Sequence, residues 1–159
     1  MSAANGSDSG HPGAAGERKF REILTFERTR VERSSDPFIL MLLDAHQENG
    51  TARRILLKAI GVLGSAARET DLLGWYVDGE ILGVIFAELG KGKEDPVLAG
   101  EILRDKIRTS LQERLGTEAA AKITISVHVF PEKVEVTEYQ TVIGLRVPQR
   151  SRIKLSLKK

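Results

Sequence analysis

Three side chains able to bind a cation alternate where an apolar run ends: Asp44, His46 and Glu48 follow FILMLL. Period-two spacing puts them on one side of an extended chain. Carboxylates with an imidazole are ordinary ligands for divalent ions. Asp78 and Glu80, on either side of Gly79, are the candidates to complete such a site. The plain structural reading of the same residues is a polar loop leaving a buried strand, followed by a turn at Asp78-Gly79. His128 falls on the polar phase of an alternating run, where a surface residue is expected, and His11 lies among Gly, Ala and Ser with no expected role. The chain has no cysteine, which removes disulfides, thiolate metal sites and cysteine nucleophiles. No P-loop, dinucleotide glycine fingerprint or Ser-His-Asp order is present.

These residues need elements to hold them. Residues 17–33 read as a helix with Phe20, Ile23, Leu24 and Val31 near one stripe and charge elsewhere. Ser34 to Pro37 end it, because the residue before proline avoids the helical region. Residues 38–44, FILMLLD, are an apolar run of strand length, consistent with burial on both faces. A helix over about 52–67 turns Ile55, Leu56, Ala59, Ile60, Leu63 and Ala67 inward, and Gly61 and Gly64 within it suggest close packing on a sheet. Two β-rich runs flank Asp78-Gly79, the preferred pair for a two-residue type I′ hairpin. Trp75 and Tyr76 beside that turn must point to opposite faces, and the outward ring could stack on a base. Asp95 caps a helix with Pro96 at its first position, running to about Leu115 with Leu98, Ile102, Leu103, Ile107 and Leu111 inward. KITISVHVF alternates as a strand, and KVEV, TVIGLRV and RIKLSLK are weaker strands. The order predicts an α+β fold, an antiparallel-centred sheet covered on one face by helices.

The 159 residues are 41% hydrophobic and 29% charged, the composition of one soluble globular domain. No apolar run is long enough to span a membrane as a helix, and the N-terminus has no secretory h-region, so a cytoplasmic location is expected. The net charge of +2 is unevenly spread. Residues 146–159 carry Arg146, Arg150, Arg152, Lys154, Lys158 and Lys159 without an acid, leaving 18 basic against 22 acidic residues, or −4, elsewhere. A mildly acidic body argues against nucleic acid as partner. The expected organisation is a flexible tail over 1–16, a domain over 17–147, and a basic tail or edge strand over 148–159.

From about residue 17 to 131 the chain resembles the GGDEF domain of diguanylate cyclases, in degenerate form. The resemblance rests on order and spacing: a charged helix, an apolar strand ending in Asp44, a helix, Arg68-Glu69-Thr70-Asp71, the hairpin WYVDGEILGVIF, a helix, and ITISVHVFP. It places the family signature on Val77, Asp78, Gly79, Glu80 and Ile81. It implies a divalent metal, magnesium, held by Asp44 and by the acidic third signature residue. That third residue is Gly79 here, so a ligand is missing unless a one-residue slip brings in Asp78; Glu80 matches the fourth position. The resemblance also implies a substrate-reading segment after the first strand, for which residues 45–51 are too short. Phosphoryl transfer depends on positioning and charge neutralisation. Loss of cradle and ligand together implies a catalytically inactive member.

The family's Arg-x-x-Asp motif, which binds cyclic di-GMP five residues before the signature, is matched by Arg68 and Asp71, with residues 72–76 intervening. Arginine can fork onto a phosphate or a guanine edge, and aspartate can accept from guanine N–H groups. The plain reading of the pair is a solvated helix end. The expected function is a non-enzymatic regulatory domain acting through a protein partner or homodimer and sensing cyclic di-GMP. A metal-dependent nucleotide-using enzyme built on Asp44 with Asp78 or Glu80, or an interaction-only scaffold, are the alternatives.

Overall fold

The computed structural model describes residues 13–46, 50–87, 89 and 95–132, with the backbone of 139–142 and 145–148. Helix α1 (Glu17–Ser34) stops where Ser35 turns left-handed, φ 65°, its N–H donating to the Val31 carbonyl at 2.8 Å. Pro37 then commits the chain to extended backbone, and β1 (Phe38–Ala45) follows. Next come α2 (Thr51–Ala66), β2 (Asp71–Val77), β3 (Ile81–Phe86), α3 (Pro96–Leu115), the short α4 (Thr117–Ala121) and β4 (Ile123–Phe130). Strand order is β2-β3-β1-β4, and every neighbouring pair is antiparallel. The expected α+β architecture is therefore the one observed.

Helices cover both faces of the sheet, not one. Ile39, Met41, Leu43 and Ala45 of β1 join the core beneath α2 and α3, while Phe38 and Leu40 join Phe20, Leu24 and Val31 of α1 on the other side. An unbroken apolar run from Phe38 to Leu43 in β1 needs both layers: a sheet covered once would leave Leu40 in water. Burying side chains of this size stabilises the fold by about 1.5–3 kcal/mol each.

Other expectations give way to packing. Residues 13–16, placed in a flexible tail, lie along the outer edge of β2, with Ala15 bridged in parallel to Gly74 and Ala14 buried. Gly61 and Gly64 face open space rather than the sheet. On α3 the closest approach is Gly100, where a Cβ would lie 2.8 Å from Val127 Cγ1. That seating buries Ile107 and Leu111 and turns Leu98 and Ile102 outward, each about half exposed (51% and 55%).

The hairpin turn spans three residues, 78–80, between the Val77↔Ile81 pair. Gly79 alone among them has a positive φ, 77°. A type I′ turn needs positive φ at both central residues, so Asp78 fixes a different turn, closed by the Glu80 N–H on the Val77 carbonyl at 2.9 Å. The expected TVIGLRV strand is divided between β5 (Tyr139–Val142) and β6 (Leu145–Pro148), a separate antiparallel pair. KVEV, RIKLSLK and the basic C-terminus fall outside the described residues, as do His11 and Glu48.

Candidate functional site

The expected chemistry divides between two places. At the hairpin end, sheet register sets Asp44 opposite Ile81 on one side and Thr124 on the other. Asp44 Oδ2 lies 3.3 Å from His46 Nε2. Asp78 is held elsewhere. Its Oδ2 accepts from Arg53 Nη1 at 3.3 Å, and its N–H donates to Glu17 Oε1 at 2.8 Å. Arg53, in the first turn of α2, also sits over the Trp75 ring at 5.5 Å. Gly79 makes room for it, since a Cβ there would meet Arg53 Nη1 at 2.7 Å. Glu80 points to solvent. Among the described residues no three His, Asp or Glu side chains gather to hold a metal ion. The carboxylate nearest the turn is already matched by a guanidinium, and a divalent ion beside Arg53 would meet like charge. The residues at this turn do not fit a divalent cation.

Trp75 and Tyr76 divide as the alternation predicts. Trp75 is in the core, 1% exposed, and Tyr76 lies on the α1 side. Arg21 occupies the face of Tyr76, its guanidinium 4.5 Å from the ring centroid and its Nε donating to the Tyr76 carbonyl at 2.9 Å. The outward ring, the one that could have stacked on a base, thus carries a cation on its face. His128 is half-buried, with Nε2 3.1 Å from Ser126 Oγ. Burial pushes its pKa below the usual 6.5, against a smaller opposing pull from Glu132.

The second place is the turn between α2 and β2. Arg68 and Asp71 clasp one another: the Arg68 N–H donates to Asp71 Oδ2 at 2.8 Å, and the Asp71 N–H to the Arg68 carbonyl at 3.0 Å. Arg68 Nε stands 3.9 Å from the same oxygen. The Asp71 side chain is only 2% exposed, so it is no solvated helix end. Its Oδ1 is buried without a hydrogen-bond partner among the described residues. Buried polar atoms are nearly always paired, and one left over costs about 1–3 kcal/mol. Both residues line a pocket of about 230 Å³. Its walls are apolar, from Leu63, Leu73, Phe86 and Leu103, and Lys106 of α3 adds a second cation. Lys106 and Arg53 had no spacing signal in the sequence, because each reaches its site only through helix packing. The paired glycines Gly74 and Gly83 did carry one: glycine inside a strand marks close approach of another group, here the Phe20 ring, 2.5 and 2.6 Å from the Cβ each position lacks.

No protein-family model matches the sequence, and no curated protein matches it. Solved structures do match. The chain is similar to a diguanylate cyclase (DGC) protein from Thermotoga maritima, with TM-score 0.56 and 16% identity over 73% of this chain and 81% of that one. It is similar to the GGDEF domain of DgcB from Caulobacter crescentus in complex with c-di-GMP, with TM-score 0.54 and 18% identity over 81% and 77%. It is also similar to the diguanylate cyclase SiaD in complex with its activator SiaC from Pseudomonas aeruginosa, with TM-score 0.52 and 26% identity. That match covers 79% of this chain but only 51% of SiaD, about half its length.

Proposed function

We propose that this chain, which has the fold of diguanylate cyclase GGDEF domains, is a regulatory domain that binds cyclic di-GMP without making it. The observation that carries the reading is Asp71 Oδ1, a buried acceptor with no partner among the described residues in a pocket that also presents Arg68 and Lys106. Guanine supplies the complement: its N1–H and amino group donate to a carboxylate, and its flat face suits apolar walls. Arg68 and Lys106 supply positive charge for the phosphodiesters. The hairpin turn supports the silent half of the reading, because Asp78 is neutralised by Arg53 and the chain from β1 to α2 is short. Ligand state then passes to a protein partner or a second copy through surface contacts.

Titration calorimetry with cyclic di-GMP tests the binding half, with cyclic di-AMP and GTP as controls. Binding by cyclic di-GMP is expected, lost in Asp71→Ala and weakened about tenfold or more in Arg68→Ala and Lys106→Ala. No heat at high micromolar ligand with folded protein would overturn it. For the silent half, incubation with GTP and Mg²⁺ or Mn²⁺ is expected to give no cyclic product. Product formation abolished by Asp44→Ala would reverse that conclusion.

A further inference from the structure

The segment ahead of α1 does more than enter the fold. The Ala15 N–H donates to the Leu73 carbonyl at 2.9 Å, and the Trp75 N–H returns to the Ala15 carbonyl at 2.9 Å. Ala14 is buried, and a Cβ at Gly13 would meet Ile60 of α2 at 3.5 Å. Leu73, whose carbonyl holds the segment, also lines the Asp71 pocket, and α2 contributes Leu63 and Ala66 to the same pocket, with Ala67 just past its end. Residues 13–16 and the pocket therefore share β2 and α2 as common walls. One helical turn later, Phe20 fills the space above Gly74 and Gly83, Glu17 takes the Asp78 N–H, and Arg21 takes the Tyr76 carbonyl. Along its length, β2 is fixed on one side by residues 13–21 and opens at its first residue into the pocket.

We infer that residues 13–16 form a strap whose attachment is coupled to occupancy of the Asp71 pocket. A ligand that orders β2 lowers the cost of attaching the strap, and a detached strap leaves β2 looser and the ligand weaker. Linkage makes the two effects equal in size. The strap runs directly into α1, so pocket occupancy is conveyed to the helix that covers the other face of the sheet. The ligand arm of this inference rests on the cyclic di-GMP reading; the strap arm does not.

Ala15→Pro removes the N–H that holds the strap to Leu73 and leaves every pocket side chain in place. Cyclic di-GMP affinity in this variant is expected to fall about tenfold, within the usual range of coupling between sites. Val31→Ala, a core truncation at the far end of α1, controls for general destabilisation and is expected to bind as the parent does. Hydrogen exchange at the Ala15 and Trp75 amides is expected to slow when ligand binds. In the ligand-free protein, Leu103→Ala opens the pocket from the α3 side and is expected to speed exchange at those same amides. Equal affinity in Ala15→Pro with unchanged exchange would overturn the coupling while leaving the binding reading intact. If cyclic di-GMP does not bind but Leu103→Ala still exposes Ala15, the binding reading falls and the coupling stands.

Discussion

Single atoms decide most of the chemistry in this chain. Asp71 Oδ1 and Asp78 Oδ2 are both carboxylate oxygens near strand ends, yet one has no partner among the described residues and the other is matched by Arg53. The first can receive a ligand's proton donor; the second already has its cation. Asp71→Asn tests the distinction sharply. It preserves shape but makes acceptance from guanine weaker, so cyclic di-GMP affinity is expected to drop while thermal stability changes little. His128 gives a pH prediction. Its native pKa lies below 6.5 because burial disfavours the imidazolium. As pH falls, the unfolded chain takes up the proton first. His128 therefore contributes fully above pH 6.5, and that contribution declines as pH drops from 6.5 towards the native pKa. Chemical denaturation between pH 7 and 5 is expected to show a shallower loss in His128→Gln than in the parent; identical slopes would rule the assignment out.

At the scale of elements, glycines act in opposite ways. Gly61 and Gly64 lie in α2 with nothing within 4 Å of an added Cβ. Alanine at either position is expected to raise stability by about 0.5–1 kcal/mol, measured by urea unfolding. Gly74 and Gly83 face each other across β2 and β3 beneath Phe20. Gly74→Ala is expected to cost about 1–3 kcal/mol, because its methyl group meets both a ring and the Ala15 carbonyl oxygen at 3.0 Å. A neutral Gly74→Ala would mean that α1 is not seated as described. These four residues also mark where sequence reading stopped. Helix periodicity located α2, β-rich runs on either side of Asp78-Gly79 located β2 and β3, and alternation located β4. Which glycine touches something depends on the neighbouring layer, which periodicity does not contain. Ile107 and Leu111 of the inward set given to α3 are buried and Leu103 packs on the core, but its other two members failed for the same reason. Leu98 and Ile102 are apolar at helical spacing, but the helix rests on Gly100, nearly opposite them.

For the molecule as a whole, ligand and fold are linked by mass action. At a hundred times its dissociation constant, cyclic di-GMP is expected to stabilise the domain by about 2.7 kcal/mol. In a protein of this size that corresponds to a melting temperature higher by roughly 5–10 °C. The rise should vanish in Asp71→Ala and persist in Asp44→Ala, which separates the α2–β2 pocket from the hairpin end. The sheet layers explain how two sites so close in sequence remain distinct. Asp71 begins β2 and Asp78 follows its end, so a seven-residue strand holds them at its opposite ends. Exposed Val97, Leu98 and Ile102 give α3 an apolar outer surface.

The sequence by itself determined the order of the main helices and strands, the antiparallel hairpin, the core phase of β4 and the Arg68–Asp71 pair. All of these are written in local spacing, and local spacing is what periodicity and turn chemistry read. Tertiary structure alone decided that α1 supplies the second layer over β1, that residues 13–16 are fixed to β2, that Arg53 neutralises Asp78, and that Lys106 joins Asp71. Each of those depends on side chains from distant segments meeting across layers. Burial then turns an ordinary Arg-x-x-Asp turn into an acceptor without a partner among the described residues. The physical reason is desolvation, which acts only once the pocket walls have closed around Asp71.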